Sequence, residues 1–197
     1  MISRLKGILV TRDPSAVEVE TEGGVVYEVE VPLTVLERLP SPGNPVELRT
    51  AQVVTETSAA LYGFIDAHER TLFRRLITAK GVGAKLALGM MSAYRADRLA
   101  RAIVEKDLGA LTRISGIGRK TAERLVLELA DKVADLAVAM PGAGGVPGGA
   151  GAQEAVKALV ALGFSFSDAD HAVRQVLEAG ASGASADEIV RKALAGR

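Results

Sequence analysis

Residues 76–89 read LITAKGVGAKLALG, and residues 111–129 read LTRISGIGRKTAERLVLEL. In both stretches an apolar helical run is followed by Gly-aliphatic-Gly, and a basic residue then opens a second helical run. The copies lie 35 residues apart, measured from Gly81 to Gly116. A repeat of this length, with two helices around a short turn, predicts a tandem pair of helix-hairpin-helix units.

The glycine pairs of these hairpins suit a phosphate ligand. Two glycines around one aliphatic residue allow a tight turn and bring bare backbone close to a partner. The next helix begins at once, so its unpaired N–H groups and positive dipole end face whatever lies over the turn. The aliphatic residue can anchor the turn in the core, and no side chain suits the reading of base edges, so binding should not depend on sequence. The predicted DNA-binding residues are Gly81, Val82, Gly83, Lys85, Gly116, Ile117, Gly118, Arg119 and Lys120.

A glycine-rich turn between packed helices is the simpler explanation for one copy, because glycine is common after helix ends. Two copies with a basic residue at a matching offset weaken that explanation. Nucleotide-binding loops are excluded more firmly. A P-loop requires glycine directly before Lys-Ser/Thr, where Arg119 stands, and a dinucleotide fingerprint requires a third glycine, where Leu86 and Thr121 stand.

Charge is unevenly distributed along a chain whose formal net charge is zero. Residues 1–62 carry 5 basic and 9 acidic side chains, residues 63–137 carry 14 and 9, and residues 138–197 carry 5 and 6. The positive surplus lies on the segment with both hairpins, as a phosphate-binding surface requires. The chain has no cysteine, no signal peptide and no apolar run of membrane-spanning length, which predicts a cytoplasmic protein.

Hydrophobic periodicity predicts an α+β multidomain fold. The N-terminal part alternates with period two between Gly and Pro turns, and its first strand is expected from Ile2 to Val10. The predicted parts are a five-stranded OB-type β-barrel (1–64), a tandem helix-hairpin-helix DNA-binding domain (65–137), a flexible Gly/Ala/Pro linker (138–152) and a C-terminal three-helix module (153–197).

Three local features are predicted within the helical domain. Asp66 and Glu69 have the spacing of a capping box at the start of its first helix. Arg124 and Glu128 are expected to form an i,i+4 pair on the surface of its last helix. That helix should end near Val133. In the C-terminal module, Ser185 and Glu188 have the spacing of a second capping box, at the start of its last helix.

Catalytic and metal-binding patterns are absent from the sequence. His68 and His171 lie in different predicted parts, and no cluster of His, Asp and Glu has ligand spacing. Neither a nucleophile elbow nor a Ser/His/Asp arrangement occurs. The barrel offers only Tyr27, Tyr62 and Phe64 for base stacking, which is too few for a stacking platform. We therefore expect no catalytic site, no metal and no cofactor.

The motifs together resemble the bacterial RuvA family of Holliday-junction proteins over nearly the whole chain. The resemblance is carried by both hairpins, the Gly-rich linker, and the stretches LYGF (61–64), ERTLF (69–73) and ALVALGF (158–164). It implies a homotetramer, single or as two face-to-face tetramers, that holds a four-way DNA junction open and grips its duplex arms. It also implies docking of the third domain on the hexameric ATPase RuvB, branch migration in recombinational DNA repair, and resolution by the nuclease RuvC. The chain would be the non-catalytic DNA-binding subunit of an ATP-dependent helicase complex.

The turn before LYGF departs from the family pattern. Family members usually carry two adjacent acids there, an acidic pin at the junction centre, whereas here Glu56 is followed by Thr57. Repulsion between Glu56 and phosphates is Coulombic and screened by salt, so one acid predicts a weaker pin.

The C-terminal module has a thin core, so part of its apolar surface is expected to contact a partner. With the resemblance, this predicts a RuvB-binding surface, although the two phenylalanines fit a role in the module's own core equally well. The predicted contact residues are Leu159, Leu162, Phe164 and Phe166.

Two other functions are compatible with the hairpins. A helix-hairpin-helix repair enzyme, such as a base glycosylase, would need a catalytic carboxylate and a base pocket after the hairpin, and neither is evident. A general duplex-binding scaffold without junction selectivity is the stronger alternative. Such a scaffold has no need of an acid-tipped barrel or of a third module on a linker.

Overall fold

The computed structural model describes residues 1–139, 149–164, 166–179 and 184–195. These residues form a five-stranded barrel, a helical domain with two hairpins and a three-helix module, so the predicted α+β multidomain fold is confirmed. The barrel consists of β1 (Arg4–Arg12), β2 (Ala16–Glu20), β3 (Val26–Glu30), β4 (Pro45–Val54) and β5 (Ala59–Phe64), with a short helix α1 (Leu33–Leu36) before β4.

The barrel closes in the order β1-β2-β3-β5-β4, and all neighbouring strands are antiparallel except β3 and β5. Strand β1 begins and ends two residues later than the strand predicted from Ile2 to Val10. Its register on β2 shifts between Leu9 and Thr11, and this irregularity lets pairing continue to Arg12. The barrel core contains Leu5, Leu9, Val17, Val19, Val29, Val31, Val35, Leu39, Val46, Leu48 and Leu61.

The helical domain contains two helix-hairpin-helix units joined by one helix. The first unit begins with the predicted capping box, in which Asp66 Oδ1 accepts from Glu69 N at 2.8 Å and Glu69 Oε2 accepts from Asp66 N at 3.4 Å. The first unit is α2 (Ala67–Leu76) and α3 (Ala84–Ala93), the connecting helix is α4 (Ala96–Val104), and the second unit is α5 (Leu108–Thr112) and α6 (Arg119–Ala139).

Helix α6 is longer than the sequence predicts. It continues beyond Val133 because Leu136 lies on the same buried face, with 3% of its surface exposed. Both ends of the predicted linker (138–152) are therefore helical, since α6 extends to Ala139 and the next helix begins at Gly149. Residues 140–148, the middle of that linker, lie outside the described residues.

The C-terminal module contains α7 (Gly149–Ala161), α8 (Phe166–Glu178) and α9 (Ala186–Ala195). The predicted capping box at α9 is present, since Ser185 Oγ accepts from Glu188 N at 3.4 Å and Glu188 Oε2 accepts from Ser185 N at 3.2 Å. Within the described parts of the chain, no helix is both long and apolar enough to cross a membrane. The module's core contains Ala152, Ala155, Val156, Leu159, Ala169, Val173, Leu177 and Ile189.

Aromatic packing joins the barrel to the helical domain. The ring of Phe73 on α2 lies 4.8 Å from that of Tyr62 and 5.1 Å from that of Phe64, measured between centroids. Phe64 is fully buried and Tyr62 is 4% exposed. These two barrel aromatics therefore serve the interface between the domains and present no face on which a base can stack.

Polar contacts fix the same interface. The buried carboxylate of Glu69 forms an ion pair with Arg38 of the barrel and accepts from Ile65 N at 3.0 Å. Thr34 Oγ1, on α1, donates to Met91 O at the end of α3 at 2.7 Å. The barrel and the hairpins are consequently held in one orientation by contacts at both α2 and α3.

Candidate nucleic-acid interface

The two hairpins have the same backbone hydrogen bonds, displaced by 35 residues. In each turn, the aliphatic residue between the glycines donates back to the end of the preceding segment, and the following helix makes its first bond to the second glycine. The bonds run from Val82 N to Ala79 O and from Ala87 N to Gly83 O in the first hairpin, and from Ile117 N to Ile114 O and from Ala122 N to Gly118 O in the second, all at 2.9–3.0 Å. The repeat in the sequence is thus a repeat of backbone geometry.

The first glycine of each pair is required by the backbone. Gly81 has φ +81° and Gly116 has φ +86°, which lie in the left-handed region that side chains disfavour. The turn then directs Val82 and Ile117 into the core, where each is 4% exposed. Any contact of these two aliphatic residues with a ligand must therefore be made by their backbone.

The second glycine of each pair is not required by the fold. Gly83, which precedes α3, has φ −82° and ψ 172°, an extended conformation that any residue adopts. A methyl group added to Gly83 or to Gly118 would meet no atom of the described chain within 4 Å. Both glycines are exposed, so each leaves open space directly over the start of a helix.

Unpaired backbone N–H groups and exposed basic side chains surround the open space over each helix start. The first N–H groups of α3 and α6 have no acceptor within their own helices, and such helix starts favour anions. Lys85 and Lys120 are exposed beside them. Arg119 is also exposed, and its Nε lies 3.1 Å from Glu123 Oε1. Because an exposed ion pair of this kind adds little stability, Arg119 can exchange Glu123 for a phosphate.

Helix α6 contacts the first hairpin through two residues that sequence reasoning did not connect with it. Glu128 Oε2 accepts a hydrogen bond from Lys80 N at 2.9 Å. A methyl group on Gly81 would lie 2.6 Å from Arg124 Nη2, so the guanidinium lies against that glycine. The predicted i,i+4 ion pair between Arg124 and Glu128 is wrong: in α6 it is Arg119 and Glu123 that pair at this spacing, and the Glu128 carboxylate is bonded to Lys80 N instead. Nothing in the sequence of α6 marks these residues as neighbours of a turn more than 40 positions earlier.

The predicted pin lies at the exposed tip of the β4–β5 hairpin. Thr55 N donates to Ser58 O at 2.8 Å, and Ser58 N donates to Thr55 Oγ1 at 3.1 Å. These bonds close a two-residue loop in which Glu56 and Thr57 are both exposed. The bracing by Thr55 and Ser58 was not expected from the sequence, although Ser and Thr commonly close turns in this way.

The residues predicted for partner binding occupy different environments. Leu159 is fully buried in the module's core. Leu162 is 62% exposed, and Phe164 is partly buried. Only the backbone of Phe166 is described. Leu159 and Phe164 also line a surface cleft of about 460 Å³ between α8 and α9, and Leu162 is not part of its lining.

Family models match three consecutive segments of the chain. The model for the RuvA N terminal domain matches residues 1–63, the SAM-like helix-hairpin-helix tandem matches residues 73–131, and the RuvA C-terminal domain matches residues 150–196. The three segments coincide with the barrel, the two hairpin units and the C-terminal module.

Full-length relatives give the same assignment. The chain is 46% identical over 172 residues to a protein of Gemmatimonas aurantiaca, with 87% of this chain and 86% of that protein covered. It is 43% identical over 175 residues to one of Thioalkalivibrio sulfidiphilus (86% and 87% covered) and 46% identical over 181 residues to one of Pseudomonas aeruginosa (87% and 89% covered). All three relatives are named Holliday junction branch migration complex subunit RuvA. This chain belongs to the RuvA family.

Proposed function

We propose that this protein binds four-way DNA junctions without sequence preference, as the DNA-binding subunit of a branch migration complex. The observation that carries the proposal is the pair of hairpins with the same backbone hydrogen bonds, each with open space over its second glycine. A chain of the RuvA family with two such turns can hold two stretches of DNA backbone at once. The residues proposed for this contact are Gly81, Val82, Gly83, Lys85, Gly116, Ile117, Gly118, Arg119 and Lys120.

The proposed contact is with phosphate oxygens. Backbone N–H groups and lysines recognise phosphates and carry no information on base identity, so affinity should be similar for all sequences. Neutralised phosphates release counterions, which makes such binding fall steeply with salt. The buried side chains of Val82 and Ile117 support this assignment, because they hold the turns rigid beneath the ligand.

Junction selectivity is proposed to come from Glu56. Glu56 lies in an exposed loop that hydrogen bonds between Thr55 and Ser58 close at the tip of the β4–β5 hairpin. Like charge near converging phosphates opposes straight duplex and is tolerated where the strands separate. Thr57 supplies no second charge, so we expect the selectivity to be smaller than a pair of acids would give.

Assembly and motor coupling complete the proposal. A four-way centre has four arms, and a homotetramer, single or paired with a second tetramer, can present one pair of hairpins to each arm. The C-terminal module is proposed to dock on the RuvB ATPase, with Leu162, Phe164 and the cleft beside α9 as the contact surface. In this scheme RuvB performs the ATP chemistry, RuvC resolves the junction, and this cytoplasmic subunit itself catalyses no reaction.

The test is a gel shift that compares a four-way junction with a duplex of equal length, at moderate salt and with excess competitor DNA. The proposal predicts that the junction binds at least about a hundredfold more tightly, and that Glu56→Gln reduces this ratio. Glu47→Gln, which removes an acid from the barrel wall, is the control. Equal binding of both DNAs by the unmodified protein would favour the general duplex-binding scaffold instead.

A further inference from the structure

One buried carboxylate joins the barrel to the start of the helical domain. Glu69 lies in the first turn of α2, and its Oε2 accepts from Ile65 N at 3.0 Å and from Asp66 N at 3.4 Å, in the short connection between β5 and α2. Its other oxygen, Oε1, forms the ion pair with Arg38 of the barrel. The capping box uses Oε2 alone, so the contact with Arg38 is an addition that the helix start does not require.

The segment that carries Arg38 also contacts the second helix of the first hairpin unit. This segment, residues 33–38, is here called the α1 segment. Thr34 Oγ1 donates to Met91 O, near the end of α3, at 2.7 Å. Arg38 Nε donates to Thr34 O at 2.9 Å, which links the two contacts. The α1 segment therefore connects the barrel both to the start of α2 and to the end of α3, the helices on either side of the first hairpin.

The loop that holds Glu56 lies at the far end of the strands that pack on α2. The pairing of β4 with β5 begins at Phe64, which contacts α2 through its ring, and ends at Ala59, beside the loop. These five residues of strand span about 17 Å, so a rotation of about 10° between the barrel and α2 moves the loop by about 3 Å. The contacts of the α1 segment restrict that rotation.

We infer that Arg38 and Thr34 are positioning residues for junction selectivity, because they keep the barrel tip aligned with the first hairpin. A duplex engages the hairpins alone, whereas a junction engages the hairpins and also meets Glu56 at its centre. Only the discrimination between the two DNAs therefore depends on the alignment. A preorganised alignment need not be ordered when DNA binds, which preserves affinity. The inference rests on the proposed function, because it assumes that Glu56 distinguishes junctions from duplexes.

The experiment measures the ratio of junction affinity to duplex affinity by gel shift, at a temperature where every variant is folded. Thr34→Val removes the bond to Met91 without a change of charge, and Arg38→Ala removes the ion pair with Glu69. Each should lower the ratio about three- to tenfold, while the affinity for duplex changes by less than about twofold. Arg38→Lys, which returns a positive charge to Glu69, should recover most of the loss. If Arg38→Ala does not fold, Thr34→Val alone decides the test.

Two residues whose bonds stay within the barrel provide matched controls. Thr21 Oγ1 donates to Val25 O at 3.0 Å, and Arg12 Nη2 donates to Leu36 O at 2.7 Å. Thr21→Val and Arg12→Ala lose the same chemical groups as the two test variants and should leave the ratio unchanged. Urea unfolding of all variants identifies a merely structural role, in which the unfolding midpoint falls while the ratio stays at its original value.

The alignment itself can be measured as a distance between two spin labels. The chain has no cysteine, so Thr57→Cys at the barrel tip and Gly89→Cys on α3 give two labelling sites, both exposed. An excess of unlabelled chain isolates the distance within one subunit. Addition of Thr34→Val should broaden the distance distribution, and addition of Thr21→Val should leave it unchanged.

The outcomes separate this inference from the proposed function. If the unmodified protein prefers junctions and the ratio survives both Thr34→Val and Arg38→Ala, the inference is overturned and the proposed function stands, whether or not the distances broaden. A loss of the ratio in Thr21→Val as large as that in Thr34→Val overturns it as well. If the unmodified protein binds both DNAs equally, the proposed function fails and the inference fails with it.

Discussion

The two hairpins share one backbone but differ in what supports them. Glu128 accepts a hydrogen bond from Lys80 N, directly before the first glycine pair. The corresponding N–H of the second hairpin, that of Ser115, has no acceptor among the residues that the structure describes. The positions 35 residues before Arg124 and Glu128 are Gly89 and Ala93, which can offer neither contact.

The two copies of the repeat share the turn itself and differ in the contacts that support it. The turn is the same in both copies down to its hydrogen bonds, and such a turn leaves the start of the next helix open to an anion. The support differs, because the two units pack on each other and only the longer helix α6 reaches back across its partner. The same turn geometry therefore coexists with different supporting contacts.

The largest effects on DNA binding are expected at the second glycine of each pair, where the two hairpins should respond equally. Gly83→Val and Gly118→Val should each weaken binding to junctions and duplexes by at least about a hundredfold, because a side chain would fill the space over the helix start. Neither should cost more than about 1 kcal/mol of unfolding free energy, since the site is open in this chain. Fluorescence anisotropy and urea unfolding of the same samples measure both quantities. Normal binding by either variant would mean that the copies are not functionally equivalent.

Substitution of the first glycine of each pair should instead affect mainly the free energy of unfolding. Gly81→Ala and Gly116→Ala force a side chain into the left-handed region, which costs about 1–2 kcal/mol at each site. Urea unfolding should show similar losses for both, and Gly83→Ala is the control without that strain. A Gly116→Ala protein as stable as the original would contradict the assigned turn geometry.

A smaller effect should distinguish the hairpins. Glu128→Ala removes the acceptor of Lys80 N, with a local cost of about 1 kcal/mol. Hydrogen exchange of the Lys80 amide should accelerate while that of Ser115 stays unchanged, and Glu128→Gln, which keeps an acceptor oxygen, should protect Lys80. If both amides respond equally, α6 does not support the first hairpin selectively.

The smallest effect concerns acid stability of the second unit. The hydrogen bond from Ala110 N, at 2.9 Å, is the main cause that lowers the pKa of Asp107, and Arg98 lowers it further. A carboxyl whose pKa is lower folded than unfolded stabilises the fold above the unfolded pKa, and this contribution is lost as pH falls through the folded pKa. Asp107→Asn still caps α5 but carries no charge, so it should lose this charge-dependent contribution at neutral pH and flatten the loss of stability below about pH 4. If the unfolding free energy of the variant falls as steeply with acid as that of the original protein, Asp107 contributes nothing to the acid sensitivity.

Much of this arrangement could be predicted from local sequence. Alternation in the first 64 residues predicts the barrel, and the glycine pairs predict both turns, because strand period and positive φ are properties of a few consecutive residues. The capping boxes at Asp66 and Ser185 were predicted for the same reason. The family resemblance was confirmed by the matching domain models and relatives.

The contacts that make the hairpins different could not be predicted in this way. Arg124 and Glu128 have the spacing of an ion pair on a helix surface, and only the packing of α6 on the first unit directs both to the turn. The extension of α6 past Val133 likewise depends on a buried position for Leu136 that only the fold supplies. Sequence patterns describe one element at a time, whereas these features arise between elements.

The central claim, that both turns hold phosphates through backbone N–H groups, can be measured directly by amide NMR during titration with a short duplex of fixed sequence. The account predicts that the largest shifts fall together on the amides of Gly83, Lys85, Gly118 and Lys120, and that they are the same for a second duplex of unrelated sequence. Shifts confined to one hairpin, or a different set of amides for each duplex, would contradict it.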